Sequence, residues 1–538
     1  MFSPSQLKRI LLPGLLGSLL LAPQLSAQGA SYPAQRTARA FDHARASGPL
    51  ALNAFVAAMP KGADLHMHLS GAVYAETFVK DAAEDKLCVD PVKLAFTKPV
   101  AAACAAGNVP AASVFQNQKL YDALVDAFSM RAFVPTPGFN GHDQFFSTFD
   151  RFGGIGKSHL GEWLDEVATR AATQNEQYLE IMHTPSFSRA ATLGYSYGWP
   201  GETRPVTTAA TSTEDNIAGT SPAELAALRD KLLAGGLRDE VAIDSKEIAD
   251  GLAERARIER CGTPAALPAC SVEIRFLFQV LRAFPPQQVF AQTLLGFEVA
   301  AVDPNVVGLN FVQPEDAYMA MSEYHRQMLM LDYLHGTYPR VHISLHAGEL
   351  APGMVPPAGL KFHIRQAIDL GHAERIGHGV DALYEADSKL LLQEMAERHV
   401  MVEINLTSND GILGITGAHH PLPSYLAAKV PVALSTDDEG VSRIDLTHEY
   451  TRAALDFGLG YLDLKRSART SLEHSFLPGA SLWASPDNFT RAAPPCVGQP
   501  IGVAKPTAAC NAYLVANRRA AQQWELEHRF QRFEKDKE

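Results

Sequence analysis

The sequence predicts an α/β fold: a (β/α)8 TIM-type barrel with insertions after its first and second strands and a C-terminal helical extension. Three observations predict it. Eight short β-branched or apolar runs recur along the 538 residues and are mostly followed by stretches of helical periodicity. The last four runs begin about 30 residues apart, the spacing of strand–helix units. No close internal repeat is visible, which disfavours a solenoid. A parallel barrel carries its chemistry on the loops after the C-terminal ends of its strands.

The runs are, in order, 63–69, 178–182, 272–280, 306–312, 341–346, 375–378, 400–406 and 430–435. Two gaps are too long for simple units. The first, at about 84–175, contains a cysteine couple and a helical region from Phe115 to Phe152. The second, at about 188–269, is Thr/Ala/Gly-rich early, helical around Pro222 to Gly236, and closes on a second cysteine couple. Both read as insertions on one barrel, 28–484, rather than as separate domains. From Ser485 the chain is a Pro/Gly/Ala-rich loop with a third cysteine couple, then a helix from Asn511 to Phe533.

Composition narrows the function classes. Hydrophobic residues make up 46% and charged residues 20%, ordinary globular usage. Against 59 Asp+Glu stand 47 Lys+Arg, a net charge of −12, with no basic block of five or more. That argues against a grip on nucleic-acid phosphates. Lys8-Arg9, the apolar run from Ile10 to Pro23 and the small-residue end at Ala27 read as a signal peptide, 1–27, cleaved near Ala27, and so as export to a periplasm or the exterior. The run holds Pro13 and Gly14 and falls short of the roughly 20 residues that span a bilayer, so no stable membrane anchor is expected. Removing Lys8 and Arg9 takes the charge from −12 to −14.

Export permits disulfides. The six cysteines form three local couples, Cys88 with Cys104, Cys261 with Cys270, and Cys496 with Cys510, each in a Pro/Ala/Gly-rich stretch where a covalent staple replaces missing core. No Cys-x-x-Cys occurs, so cysteine-held zinc and thioredoxin-type redox chemistry have no support.

Four strand ends carry the chemistry. In Asp64-Leu65-His66-Met67-His68 the period of two puts both imidazoles on one face, here the barrel lumen. His-x-His alone is a weak signal. Three other strand ends supply His346-Ala347-Gly348-Glu349, Gly377-His378-Gly379 and Ser435-Thr436-Asp437-Asp438. Metal-ligating and proton-moving groups at one predicted rim point to a site.

These motifs, with the leading Met59-Pro60-Lys61-Gly62, resemble the adenosine deaminase family in family order, over roughly residues 55 to 480. The signal peptide and the long first insertion look most like its secreted branch, the adenosine deaminase-related growth factors. The resemblance implies one zinc per chain and hydrolytic deamination of adenosine or 2′-deoxyadenosine to the inosine product and ammonia. It makes His66, His68, His346 and Asp437 the metal ligands, a donor set that suits Zn²⁺ with an open water position. It makes Glu349 the donor that protonates purine N1, with His378 and Asp438 orienting and deprotonating the attacking water. Phe145, Phe146 and Phe149 resemble the apolar gate over the purine, and Glu180, Glu403 and Ser408 match positions with supporting hydrogen bonds.

Three departures bear on specificity. Ser70 stands where the family usually has an Asp that contacts ribose. Gln313 follows strand four where a Gly amide usually binds a ring nitrogen, so its side chain must fit beside the base. Glu439-Gly440 replaces the usual Pro after the Asp pair. The expected partner is a small purine nucleoside, and the oligomeric state stays open, a homodimer being one option. The rival enzyme reading is another barrel amidohydrolase, acting on a different aminopurine, an amide or an ester. Two-metal members need a bridging Lys at strand four, which Val306 to Val312 lacks. A non-catalytic secreted adenosine-binding or growth-factor-like protein would have lost a ligand or Glu349, and all are present. The His-x-Glu and Pro-Cys-x-x-Cys signature of nucleic-acid deaminases is absent.

Overall fold

The computed structural model describes residues 31–201 and 217–537, so the signal-peptide reading over 1–27 lies outside the described residues. Eight parallel strands follow one another around a single sheet: β1 (Gly62–His68), β2 (Glu176–His183), β3 (Glu273–Leu281), β4 (Val306–Val312), β5 (His342–Ala347), β6 (Arg375–His378), β7 (Met401–Ile404) and β8 (Val432–Leu434). Each matches one of the apolar runs. The ring closes at the C-terminal mouth, where Met67 and Asp437 form a parallel bridge. There the His68 N–H donates to the Asp437 carbonyl at 3.1 Å and the Asp437 N–H to the His66 carbonyl at 2.8 Å. The fold is a (β/α)8 barrel.

Strand periodicity sorts side chains between a helix-packed outer face and the lumen. Outward residues such as Leu65, Leu179, Leu309, Ile343 and Val402 are buried in the main core. The inward set is unusually polar. Arg375 lies between Glu180 (2.7 Å) and Glu403 (2.6 Å), its guanidinium 3.8 Å over the Phe476 ring. Asp64 accepts from the Thr436 N–H (3.1 Å) and hydroxyl (2.6 Å), a second tie between the first and last strands. Lys61, buried below β1, donates to the carbonyls of Val56, Met59 and Gln174 at 2.7 to 3.1 Å.

The additions differ in detail from expectation. Within 84–175 the chain forms an antiparallel sheet of Cys88–Asp90, Ala95–Thr97 and Val109–Pro110. The helical region expected from Phe115 to Phe152 is two helices, Gln118–Ala127 and Gly141–Phe149, because Pro135, Pro137 and Gly138 lie between them. The helix Leu160–Thr173, inside the same bounds, packs on β2 and belongs to the barrel's own ring. The second insertion contains Pro222–Ala234, started by a capping box in which Ser221 and Glu224 cap each other's backbone N–H. The C-terminal helix is also two, Ala508–Ala516 and Arg518–Asp536. They break at Asn517, whose carboxamide accepts from the Ala480 N–H (2.7 Å) and donates to the Tyr513 carbonyl (2.8 Å). Cys88–Cys104, Cys261–Cys270 and Cys496–Cys510 are bonded, and the last pins a satellite core of Leu482, Trp483, Leu514 and Trp524. No described helix is long and apolar enough to cross a membrane.

Candidate metal centre and cavity at the barrel mouth

The strands bring His66, His68, His346 and Asp437 to one point. Nε2 of His68 lies 3.1 Å from Nε2 of His346 and 3.2 Å from Oδ1 of Asp437, which is itself 3.4 Å from Nε2 of His66. What each ring does with its other nitrogen decides the chemistry. Nδ1 of His66 donates to Glu403 (2.6 Å), that of His68 to the side-chain Oε1 of Gln279 (2.7 Å), and that of His346 to the side-chain Oδ1 of Asn310 (2.8 Å). An acceptor holding Nδ1–H leaves Nε2 as a lone pair. Three lone pairs and a carboxylate therefore face one another at near-contact distances, and Nε2 of His66 is buried with no hydrogen-bond partner among the described residues. Such a cluster repels itself unless positive charge sits inside it. With no ion in place the cluster draws a proton instead. Burial lowers His66, but its Asp437 and Glu403 neighbours outweigh it and raise it to about 10. Burial raises Asp437, yet contact with His66 and His68 holds its carboxyl well below the usual range. The donor set fits a single small cation, and Zn²⁺ suits three imidazoles and one carboxylate.

Around that point lie the proton-moving groups. Glu349 ends β5 with Oε1 3.7 Å from Nδ1 of His378. Burial, then Asp437 and Glu315, push its carboxyl well above the usual range, toward the protonated form. Asp438 is raised as well, chiefly by burial, and its Oδ1 is buried with no hydrogen-bond partner among the described residues. It sits above Gly71, where a Cβ would come within 1.5 Å of Oδ1, so only glycine fits. Although it starts the short turn Glu439–Ser442, its side chain caps nothing there. His378, lowered to about 3 by burial, is neutral, and Gly377 leaves the room into which the His66 ring packs, since a Cβ there would lie 2.6 Å from Cε1.

The cluster forms the floor of a cavity of about 550 Å³. Its wall is aromatic. Phe145, Phe146 and Phe149 project from the helix Gly141–Phe149 and continue through Phe152 and Phe78 to Trp163, with neighbouring centroids 4.5 to 5.7 Å apart. Ser70 and Gln313 also line it, as do Asp150, Gln279 and Glu349. No Lys or Arg lines it among the described residues. Gln313, whose side chain was expected to fit beside the base, lines the cavity with that side chain tethered to the loop. Its Oε1 accepts from the Ala283 N–H at 2.8 Å, and its φ of +86° is the left-handed backbone that a glycine adopts without strain.

Of the positions expected to give supporting hydrogen bonds, Glu403 orients His66 and Glu180 anchors Arg375. The Ser408 hydroxyl is buried with no partner among the described residues. Several site residues escaped the sequence reading. Glu315 accepts from the N–H groups of Gly348 (3.0 Å) and Glu349 (2.7 Å) and from Nδ1 of His363 (2.5 Å), which fixes the turn that presents Glu349. Asn310 is a polar residue inside an otherwise apolar strand, and Gln279 follows the apolar run Phe276-Leu277-Phe278, and that is the signal that marks them.

At its C-terminal mouth the closed parallel barrel thus carries a three-His, one-Asp cluster with Glu349, His378 and Asp438 around it. Residues 240–481 match the family model described as adenosine deaminase. The matched segment carries His346, Glu349, His378, Asp437 and Asp438, while β1 with His66 and His68 precedes it. Adenosine deaminases of Escherichia coli (strain SE11) and of Escherichia coli O1:K1 / APEC are each 38% identical to the chain over 137 residues, 25% of this chain and 38% of either relative. The match thus spans well under half the length of these relatives. Among solved structures, adenine deaminase from Arthrobacter aurescens is similar at 15% identity and a TM-score of 0.47, covering 78% of this chain and 94% of that one. The N6-methyl-AMP deaminase from Arabidopsis thaliana is similar at 18% identity and a TM-score of 0.45, covering 79% and 94%.

Proposed function

We propose that this chain is a zinc-dependent hydrolase, one ion per chain, that converts adenosine or 2′-deoxyadenosine to inosine or 2′-deoxyinosine and ammonia. The observation that carries the reading is the pairing, at one barrel mouth, of converging Nε2 atoms and Asp437 with Glu349, whose carboxyl burial pushes well above its usual range. His66, His68, His346 and Asp437 would hold the Zn²⁺, which would supply the Lewis acidity that makes water nucleophilic near pH 7. The chain's own groups do the rest. Glu349 gives its proton to purine N1, which draws electrons from C6 while the oxygen of water bonds there. Asp438 takes the proton released by the water and returns it to the 6-amino nitrogen. The C6–N bond then breaks and ammonia leaves, the proton still on the C6 oxygen passes back to the Glu349 carboxylate as the carbonyl forms, and the N1 proton remains on the product.

The cavity favours a neutral substrate. Beyond the proposed ion, the described lining offers a 5′-phosphate no lysine or arginine, and Asp150 among the lining residues opposes a second negative charge. This separates the proposed nucleoside from the nucleotide named for the Arabidopsis protein. Ser70 in place of the ribose-binding Asp, and the tethered Gln313 side chain, support a second reading, deamination of a different aminopurine with a smaller or altered sugar. Export after cleavage near Ala27, as in the secreted branch of the family, belongs to the same proposal, and extracellular nucleosides are then the accessible substrate.

The test is ammonia release by the zinc-loaded protein from adenosine, 2′-deoxyadenosine, adenine, adenosine monophosphate and N6-substituted adenosines. Adenosine and its deoxy form are expected to exceed the monophosphate in kcat/KM by about 100-fold or more. Preference for the monophosphate overturns the neutral-substrate reading, and no ammonia from any of them overturns deamination.

A further inference from the structure

His378 is held from behind by directional hydrogen bonds that start at a backbone amide. The Leu422 N–H, at the start of the helix Leu422–Ala428, points at Nδ1 of His420 at 3.1 Å. A peptide N–H can only donate, so Nδ1 accepts and the neutral ring carries its proton on Nε2. Burial, helped by Arg452, lowers His420 to about 4, so the ring is neutral at physiological pH. Its Nε2–H meets Oδ1 of Asn409 at 3.0 Å. That contact fixes the carboxamide the other way round, with Nδ2 2.9 Å from Nδ1 of His378. An amide NH2 also only donates, so Nδ1 of His378 accepts and its proton sits on Nε2, the atom facing Oδ2 of Asp437 at 3.9 Å. All three side chains are buried. Asn405 Nδ2 lies 3.5 and 3.4 Å from the two ring nitrogens and does not choose between them.

We propose that His420, acting through Asn409, is the positioning residue that sets the tautomer of His378 and turns its Nε2–H toward the reacting centre. His378 is then a hydrogen-bond donor to the oxygen that attacks C6, not the base that takes its proton, and that duty falls to Asp438. The sequence expectation shared the two roles, and the relay separates them. The kinetic consequence rests on the deaminase reading. The tautomer itself does not.

The experiment uses the full chain labelled with ¹⁵N-histidine, with the His378 signals assigned by loss in His378→Asn. The wild type is expected to show a protonated Nε2 and a bare Nδ1. Asn409→Asp, whose carboxylate can only accept, moves the proton to Nδ1. His420→Leu removes the relay and is expected to lower kcat by roughly tenfold or more, with KM within about twofold and zinc content unchanged. His420→Gln, which keeps one acceptor and one donor, recovers most of the loss. A wild-type His378 protonated on Nδ1 overturns the proposal. So does a folded His420→Leu protein with undiminished kcat, or a loss that His420→Gln does not repair at equal thermal stability. If the wild type deaminates nothing, the functional reading falls while the nitrogen spectrum still decides the relay.

Discussion

Oε2 of Glu403 lies 2.6 Å from Nδ1 of His66, and Oε1 of the same carboxylate lies 2.6 Å from Nε of Arg375. One buried side chain thus joins the charged layer of the lumen to the proposed ligand sphere. Arg375 keeps Glu403 ionised against burial, and the ionised Glu403 holds the His66 proton on the nitrogen that faces away from the metal. The orientation of the ligand is set from inside the barrel, one layer below the mouth.

Glu403→Gln replaces a charged acceptor by a neutral carboxamide that has to choose which end to present to His66. Zinc affinity, measured by competition with a chromogenic chelator, is expected to weaken by about 10- to 100-fold. His66→Ala, which removes the ligand itself, is expected to leave the protein without stoichiometric metal in elemental analysis.

Glu349→Gln keeps size and hydrogen bonding but cannot give up a proton. Turnover of adenosine is expected to fall by about 100-fold or more, with the metal retained. Steady-state kinetics paired with zinc analysis checks both halves.

Glu315 makes a pH prediction. Burial raises its carboxyl, but His363, Arg282 and the Gly348 N–H outweigh it and hold it at about 2, against 4.5 for the free side chain. The folded state therefore binds this proton more weakly than the unfolded chain. Its contribution to stability is full above about pH 5 and is lost as pH falls toward about 2, an effect on the order of 3 kcal/mol. Denaturant titrations across that range are expected to show a shallower acid loss in Glu315→Gln than in the wild type. At neutral pH that variant has a loosened turn before Glu349 and reduced kcat.

The Cys496–Cys510 bond, with a sequence separation of 14, pins the small core around Trp483 and Trp524. Replacing both cysteines by serine is expected to cost about 3 kcal/mol, read as a lower thermal midpoint, without changing kcat.

The barrel was legible because its strands are written as separate apolar runs with turn residues between them, and the strand period alone puts His66 and His68 on the lumen side. Convergence of the four motifs followed from the rule that chemistry sits after the strands. The residues that hold those groups were not legible in the same way. Glu315, Gln279, Asn310 and His420 act through partners on other strands or loops, and nothing local in the sequence names the partner. Helix continuity failed for a similar reason. The break at Asn517 depends on a carboxamide that bonds Ala480, a contact that exists only once the extension has docked.

His66 and His68 stand on the first stave of the barrel and Asp437 just beyond the last, where two peptide hydrogen bonds close the ring. A cation gripped by all three is a rivet through that seam. On the proposed function, stripping it is expected both to abolish turnover and to unfasten the edge of the mouth, so that inactivation and loosening of the rim come as a single event.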